Sequence, residues 1–283
     1  SVFKTFTFAS ALNDDLIEPE TEFIDLPKSI RCDKHRIGEY DKEIPSNLTA
    51  EQILIRSGNI GSVRIGQKIG EEKFKLFLSK IGILGQLNFD FEEVGRPIDF
   101  NWGKCPLATA SFGHGITTTL LQVVKGYSII VNGGFNIEPT LVKKDKDIKK
   151  EKILDESVSK KILPILRKIV TTEDGTAKLA NVAGYEIGGK TGTANKTKKG
   201  VYTNKKINTF ISVFPTSKPK FILAIMLDEP EINKDYIYEY RDGSNFKLKG
   251  SPRNTAGWNS VEVTGHIVDK IGPILATKLT EVY

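Results

Sequence analysis

Two residues near the start of the chain could form a nucleophile and its base. Ser1 and Lys4 stand in an S-x-x-K pattern, and at the start of a helix positions i and i+3 share one face. A serine hydroxyl is a poor nucleophile until a base takes its proton, and lysine is such a base only when burial or positive neighbours lower its pKa. Taken alone, the pattern also suits a helix-capping serine followed by an exposed lysine.

A second hydroxyl and an amide follow in Ser57-Gly58-Asn59. Ser57 placed near the lysine could relay a proton to a leaving group. Asn59 could hold a substrate carbonyl while it hydrogen-bonds the lysine. On its own, Ser-Gly-Asn is also good turn chemistry.

The third motif is Lys190-Thr191-Gly192-Thr193. On a strand, Gly192 leaves room for a peptide-like substrate to lie alongside, and a cation with two hydroxyls suits a terminal carboxylate. A Gly-rich turn with polar surface residues is the simpler interpretation of this motif by itself. Residues 184–191 also fit G-x-x-x-x-G-K-[ST] literally, but a phosphate-binding loop should follow a strand and open a helix, and the flanking sequence predicts neither.

Helical patterns surround these motifs. Thr49 and Gln52 form a capping box before an apolar run. Helical stripes are also predicted at 120–127, ending near Gly133-Gly134, at 158–169, and at 263–271, where Pro273 should kink or stop the helix.

Strands are predicted mainly in the last third of the chain. The segments 209–214 and 221–227 read as a hairpin, with a further strand within 184–192 beside it. Helices first and strands later indicate an α+β fold, with helices packed on an antiparallel sheet. The charge-rich stretches 143–152 and 196–206 are predicted as solvated loops, and 230–253 as a longer connection.

Composition excludes several classes of protein. Of 283 residues, 39% are hydrophobic, as in globular proteins, and the net charge of +6 comes without any nucleic-acid-binding motif. We therefore expect no nucleic acid partner, although a basic, non-enzymatic binding module remains an alternative. Cys32, Cys105 and the histidines show no metal-ligand spacing, so no metal or cofactor is expected. The spacing of the two cysteines indicates no disulfide framework, but they could still form a bridge if the fold brings them together.

No segment is apolar for long enough to span a bilayer, and no signal peptide precedes Ser1. We interpret the chain as a piece of a longer protein whose localisation signals lie elsewhere.

Together, S-x-x-K, S-x-N and K-T-G in this order resemble the three signatures of penicillin-binding proteins and serine β-lactamases. The similarity extends to further segments and is greatest to the division-specific, septal class B (FtsI-type) transpeptidases. The segments are Ser1–Thr7, Leu48–Gly61, Ala110–Ile116, Val170–Ala177 and Thr255–Asn259.

The resemblance implies a transpeptidase domain over 1–283 that starts at the nucleophile serine and lacks the family's N-terminal strands. It implies that Ser1 attacks a D-Ala-D-Ala stem peptide of peptidoglycan, with Lys4 as general base, Ser57 as proton relay and Asn59 orienting both lysine and substrate. The strand residues are expected to hold the substrate or β-lactam carboxylate; they are Lys190, Thr191, Gly192 and Thr193.

The same resemblance implies an oxyanion hole formed by the backbone amides of Ser1 and Thr193. It also implies β-lactam antibiotics as ligands, divisome membrane proteins as partners, and a location at the periplasmic face of the inner membrane, with the anchor outside this chain. A D,D-carboxypeptidase or a serine β-lactamase is the related alternative. Another is an N-terminal nucleophile enzyme, which would leave the lysine-containing motifs unexplained.

Overall fold

The structure is a computed structural model that describes residues 1–33, 35–91, 94–143, 150–198 and 201–280. The helices are α1 (Lys4–Asn13), α2 (Ala50–Ile55), α3 (Asn59–Ile69), α4 (Glu71–Lys80), α5 (Lys104–Ala110), α6 (Leu120–Val131), α7 (Glu156–Thr171) and α8 (Ser260–Thr280). The strands are β1 (Glu22–Phe23), β2 (Ser29–Cys32), β3 (His35–Gly38), β4 (Leu48–Thr49), β5 (Gly188–Lys198), β6 (Val201–Phe214), β7 (Phe221–Asp228), β8 (Ile237–Glu239) and β9 (Lys247–Lys249). Short 3₁₀ helices span Lys178–Ala180 and Ala256–Trp258.

The chain divides into two compact units. Residues Phe3–Leu163 form one of them, which we call the helical unit. Residues Ser1–Val2 and Pro164–Tyr283 form the other, which we call the sheet unit.

Helix α1 lies inside the helical unit. Every residue from Lys4 to Leu12 is buried, and α2, α3, α4 and α6 pack against it. A helix covered on all sides needs apolar or small residues around its whole circumference, which the sequence of α1 supplies. The Tyr127 ring of α6 packs edge-on against Phe6 at 5.3 Å, and its hydroxyl donates a hydrogen bond to Thr5 over 2.7 Å. These contacts fix the helix whose first residue is Lys4.

A disulfide joins the β2–β3 hairpin of the helical unit to α5. Strands β2 and β3 pair antiparallel, from Ser29 opposite Gly38 to Cys32 opposite His35. Cys32 and Cys105 have their Cα atoms 5.5 Å apart and are bonded. The sequence left this pairing open, because bridging depends on separation in space rather than on spacing along the chain.

The sheet unit is built on the antiparallel strands β5, β6 and β7, paired in that order. Helix α8 packs against β6 and β7. The C-terminal part of α7 approaches the start of β5, where the Arg167 guanidinium donates to the carbonyl of Ile187 over 2.7 Å. The predicted α+β class, with helices on an antiparallel sheet, is confirmed.

The structure confirms the predicted capping box and two of the predicted helical stripes. Both halves of the Thr49–Gln52 capping box form, and α6 and α7 occupy their predicted stripes. Helix α8 does not stop at Pro273 but continues to Thr280. Strand β5 starts at Gly188 and runs on to Lys198 without opening a helix, so the phosphate-loop interpretation of residues 184–191 is wrong.

Two of the three predicted loop regions contain paired strands. Of the predicted loop at 196–206, residues 196–198 and 201–206 lie on the paired strands β5 and β6, and residues 199–200 lie outside the described residues. The predicted connection at 230–253 contains the β8–β9 pair. Of the predicted loop at 143–152, residues 144–149 lie outside the described residues. No helix in the described part of the chain combines the length and apolar character that crossing a bilayer requires.

The disulfide gives a prediction about stability. The Cys32→Ser/Cys105→Ser double variant should lose about 4 kcal/mol of unfolding free energy, because the bridge closes a long loop in the unfolded chain. Urea unfolding with and without a thiol reductant measures this. The wild type should be destabilised by reductant and the variant should not respond. Equal stability of the two proteins under oxidising conditions would show that the bridge contributes nothing.

Candidate active site

The amine of Lys4 is hydrogen-bonded by polar groups from the junction between α2 and α3 of the helical unit. Its side chain is 1% exposed. Lys4 Nζ donates to the Ser57 hydroxyl over 3.0 Å, to the Ser57 carbonyl over 2.5 Å, and to Asn59 Oδ1 over 2.8 Å. An ammonium carries three donors, so these acceptors match its hydrogen-bonding capacity. The amine is therefore held in one position, beside a hydroxyl.

The junction between α2 and α3 places Ser57 and Asn59. After α2, the N–H of Gly58 donates to the carbonyl of Ile53 and the N–H of Ser57 to that of Leu54, which is a Schellman ending. Ser57 occupies its left-handed position, at φ 60°. Glycine is usual there because a Cβ is strained in that conformation. A serine therefore occupies a strained backbone position, and its hydroxyl there contacts the Lys4 amine.

Burial changes the chemistry of Lys4. Removal from water disfavours the charged amine and lowers the pKa of Lys4 from 10.5 to about 7, while the negative charge of Glu39 acts in the opposite direction. At neutral pH a substantial fraction of Lys4 is therefore unprotonated. Such an amine can accept a proton, which an exposed lysine near pH 7 cannot do.

In the sheet unit, β5 carries a lysine and two threonine hydroxyls. Lys190 is fully buried, and its Nζ donates to the carbonyl of Thr191 over 3.2 Å. Thr191 and Thr193 share a face because they are two residues apart on a strand. The Thr191 hydroxyl lies 2.7 Å from that of Thr176, and the Thr193 hydroxyl accepts from the N–H of Ala256 over 3.0 Å.

Gly192 lies against the backbone of Ser1 and Val2, within the same unit. A Cβ at position 192 would lie 3.1 Å from Val2 Cγ1, 3.4 Å from Val2 N and 3.8 Å from Ser1 N. The first of these contacts is tighter than atoms normally adopt, so the absence of a side chain allows the close approach. Ser1 is half-buried and precedes α1 rather than lying within it.

The structure thus places each residue singled out in the sequence, although their catalytic roles stay predictions. Lys4, Ser57 and Asn59 are hydrogen-bonded together, while Lys190 and its neighbours occupy one strand. Sequence reasoning missed Thr176 and Glu39. Thr176 lies in a segment that resembles the family, but no pattern singled it out. The available signal for Glu39 was indirect, since α3 begins after Gly58, which has no side chain to cap it.

A serine hydroxyl beside a partly unprotonated, buried lysine amine is the arrangement that serine acyl transfer with a lysine base requires. A family model for the penicillin binding protein transpeptidase domain matches residues 1–245, and the chain belongs to this family.

Individual relatives agree with this assignment. The chain is 26% identical over 289 residues to the probable peptidoglycan D,D-transpeptidase FtsI of Caulobacter vibrioides, covering 98% of this chain and 46% of the relative. The chain thus spans about half the length of the curated relatives it matches.

Solved structures show the same fold. The transpeptidase domain of Burkholderia pseudomallei penicillin-binding protein 3 superposes with a TM-score of 0.81 at 23% identity, over 96% of this chain and 78% of that one. Penicillin binding protein 3 of Mycobacterium tuberculosis, complexed with aztreonam, gives 0.80 at 21% identity, over 96% and 61%. The predicted penicillin-binding transpeptidase fold is confirmed.

The left-handed conformation of Ser57 leads to a test that separates fold from chemistry. Ser57→Gly and Ser57→Ala both remove the hydroxyl beside Lys4, but only alanine keeps the strained Cβ. We expect the glycine variant to be more stable than the alanine variant by about 1 kcal/mol in urea unfolding. Both should acylate at least about 100-fold more slowly than wild type in a stopped-flow β-lactam assay. Equal stabilities would contradict the strain, and wild-type rates would contradict the role of the hydroxyl.

Proposed function

We propose that this chain is the catalytic part of a serine D,D-transpeptidase that cross-links peptidoglycan stem peptides. The proposal is carried by the state of the Lys4 amine. This amine is buried, is hydrogen-bonded to Ser57 and Asn59, and has a pKa of about 7. It follows Ser1 in an S-x-x-K motif. Membership of the transpeptidase family supports the choice of reaction.

In the proposed acylation, Ser1 Oγ attacks the carbonyl carbon of the penultimate D-Ala, and its proton passes to Lys4 Nζ. The backbone N–H groups of Ser1 and Thr193 stabilise the negative carbonyl oxygen of the tetrahedral intermediate. Collapse of the intermediate breaks the peptide C–N bond. The Ser57 hydroxyl relays the proton from Lys4 to the leaving amine, so terminal D-Ala departs and an ester remains on Ser1.

The second half reverses these steps with a different amine. An amino group from another stem peptide attacks the ester carbonyl and loses a proton through Ser57 to Lys4. Ser1 Oγ leaves and regains that proton, so a new peptide bond joins two strands of the wall. Asn59 keeps Lys4 in place throughout, because its side-chain oxygen accepts from the amine.

Strand β5 is proposed to bind the substrate carboxylate. Lys190 supplies positive charge, and Thr191 and Thr193 supply hydroxyls on one face of the strand. The Thr193 hydroxyl accepts from the Ala256 N–H, so its own proton can point to a carboxylate. Gly192 has no Cβ, so it admits the close approach of Ser1, the nucleophile, and Val2 to this strand.

We also propose that β-lactams acylate Ser1 and remain attached, as mimics of the D-Ala-D-Ala end. The relative from Mycobacterium tuberculosis has been solved complexed with aztreonam, which supports this. For the whole protein we propose septal wall synthesis at the periplasmic face of the bacterial inner membrane, with divisome membrane proteins as partners, since a relative carries the name FtsI. Assignment of all of 1–283 to one transpeptidase domain is part of the same proposal.

Intact-mass spectrometry after incubation with a penicillin tests this function. The wild type should gain one penicillin mass that persists for hours, and Ser1→Ala should gain none. Ser46→Ala, which removes an exposed serine in the same chain, should be labelled like the wild type. An adduct that forms and disappears with release of hydrolysed penicillin would indicate a β-lactamase instead. No adduct on folded wild-type protein would refute the acyl-enzyme.

A further inference from the structure

The N-terminus of α3 is capped from outside the helix. The residue before it is Gly58, which has no side chain to accept the first N–H groups. Instead the carboxylate of Glu39 reaches them. Its Oε2 accepts from the N–H of Asn59 over 2.6 Å and its Oε1 accepts from the N–H of Ile60 over 2.9 Å. A carboxylate at this end is also favoured by the helix dipole.

The neighbour of Glu39 holds the Asn59 side chain. Asn59 Nδ2 donates to the carbonyl of Gly38 over 2.9 Å, and Asn59 Oδ1 accepts from Lys4 Nζ over 2.8 Å. A carbonyl only accepts, so the amide nitrogen must face Gly38 and the amide oxygen must face Lys4. Gly38 and Glu39 together therefore fix both the backbone and the side-chain orientation of Asn59.

The segment that carries Glu39 is itself anchored at its other end. Glu39 follows β3 directly, and β3 pairs with β2 down to Cys32 opposite His35. Cys32 is bonded to Cys105 of α5. One end of the β2–β3 hairpin is thus fixed covalently to α5, and the other end is fixed to α3 through Gly38 and Glu39. Anchoring at both ends holds Glu39 in position relative to Asn59.

We propose that Glu39 is a positioning residue of the transpeptidase reaction, which sets the place of Asn59 and, through it, of the Lys4 amine. The proposal rests on the function proposed above. Glu39 contacts neither substrate nor the reacting atoms and acts through Asn59, in the way that outer partners orient the ligands of a metal site.

Glu39 has an electrostatic effect in addition to its geometric one. The side chains that hydrogen-bond Lys4 from the α2–α3 junction, Ser57 and Asn59, are neutral, whereas Glu39 bears a negative charge that favours the protonated amine. Loss of this charge lowers the pKa of Lys4 below about 7. Because acylation needs the unprotonated amine, its rate should then rise with pH at a lower pH than in the wild type.

The test measures the rate constant of penicillin acylation from pH 5 to 9 in wild type, Glu39→Gln, Glu39→Asp and Glu43→Gln. In Glu39→Gln one helix N–H faces an NH₂ group, so the plateau rate should fall about 10- to 100-fold. The acidic limb of its pH profile, the pH range over which the acylation rate rises, should also lie at lower pH than in the wild type. Glu39→Asp keeps the charge but is one methylene shorter, so its limb should stay near the wild-type pH while its plateau falls less. Glu43→Gln removes an equal charge from an exposed residue nearby and should match the wild type.

The outcomes separate the two proposals. A wild type that is not acylated refutes the proposed function, whatever Glu39 does. If the wild type is acylated and Glu39→Gln has the same plateau rate and the same acidic limb, the role of Glu39 is refuted while the proposed function stands. A lower plateau without a shifted limb would be a purely structural effect and also overturns the proposal. If Glu39→Gln does not fold by circular dichroism, Glu39→Asp decides, since an unaltered plateau in that variant contradicts positioning by the carboxylate.

Discussion

The cost of keeping a lysine amine out of water governs the local architecture of the helical unit. A buried ammonium without partners is strongly disfavoured, so it must be hydrogen-bonded, lose its proton, or both. Lys4 does both: three acceptors surround its nitrogen, and its pKa falls to about 7. The helix that carries it is buried along its length, so the amine cannot swing out to solvent without disturbing that packing.

Meeting this constraint requires local departures from the most stable sequence. Ser57 sits where glycine would relieve strain, and Gly58 sits where a capping side chain would stabilise α3. Glu39 then supplies from a distant segment the cap that Gly58 lacks. Exceptions to local rules that gather around one buried group are expected at functional sites, where stability is given up for geometry.

Features encoded locally could be predicted from the sequence. The Thr49–Gln52 capping box, the helical stripes and the apolar strands of the sheet each depend on residues close together in the chain. The extension of β5 to Lys198 and of β6 from Val201 is not predictable from composition, because the lysines there suggest a loop while antiparallel pairing with the partner strand decides the structure. Lysines on strands are compatible with pairing where the side chains reach water.

The site was predicted only in part, for the same reason. Motif residues could be named because their types and order are informative, and a lysine base at Lys4 requires burial or positive neighbours. Sequence could not show that Glu39 caps α3 or that Cys32 meets Cys105, since both contacts join segments far apart in the chain. The sequence also could not show that Glu39 is the charged neighbour of Lys4. Its carboxylate raises the pKa of Lys4, so burial is what lowers that pKa.

The most direct test of this account is to titrate Lys4 itself. Protein labelled with ¹³C at the lysine ε position would be followed by NMR from pH 5 to 11, and the Lys4 resonance would be assigned by its loss in Lys4→Met. We expect the Lys4 signal to titrate with a pKa of about 7, well below the ordinary lysine value of 10.5. A Lys4 resonance that titrates at the ordinary lysine value of 10.5 would contradict a buried, neutral-pH base and with it the mechanism built on Lys4.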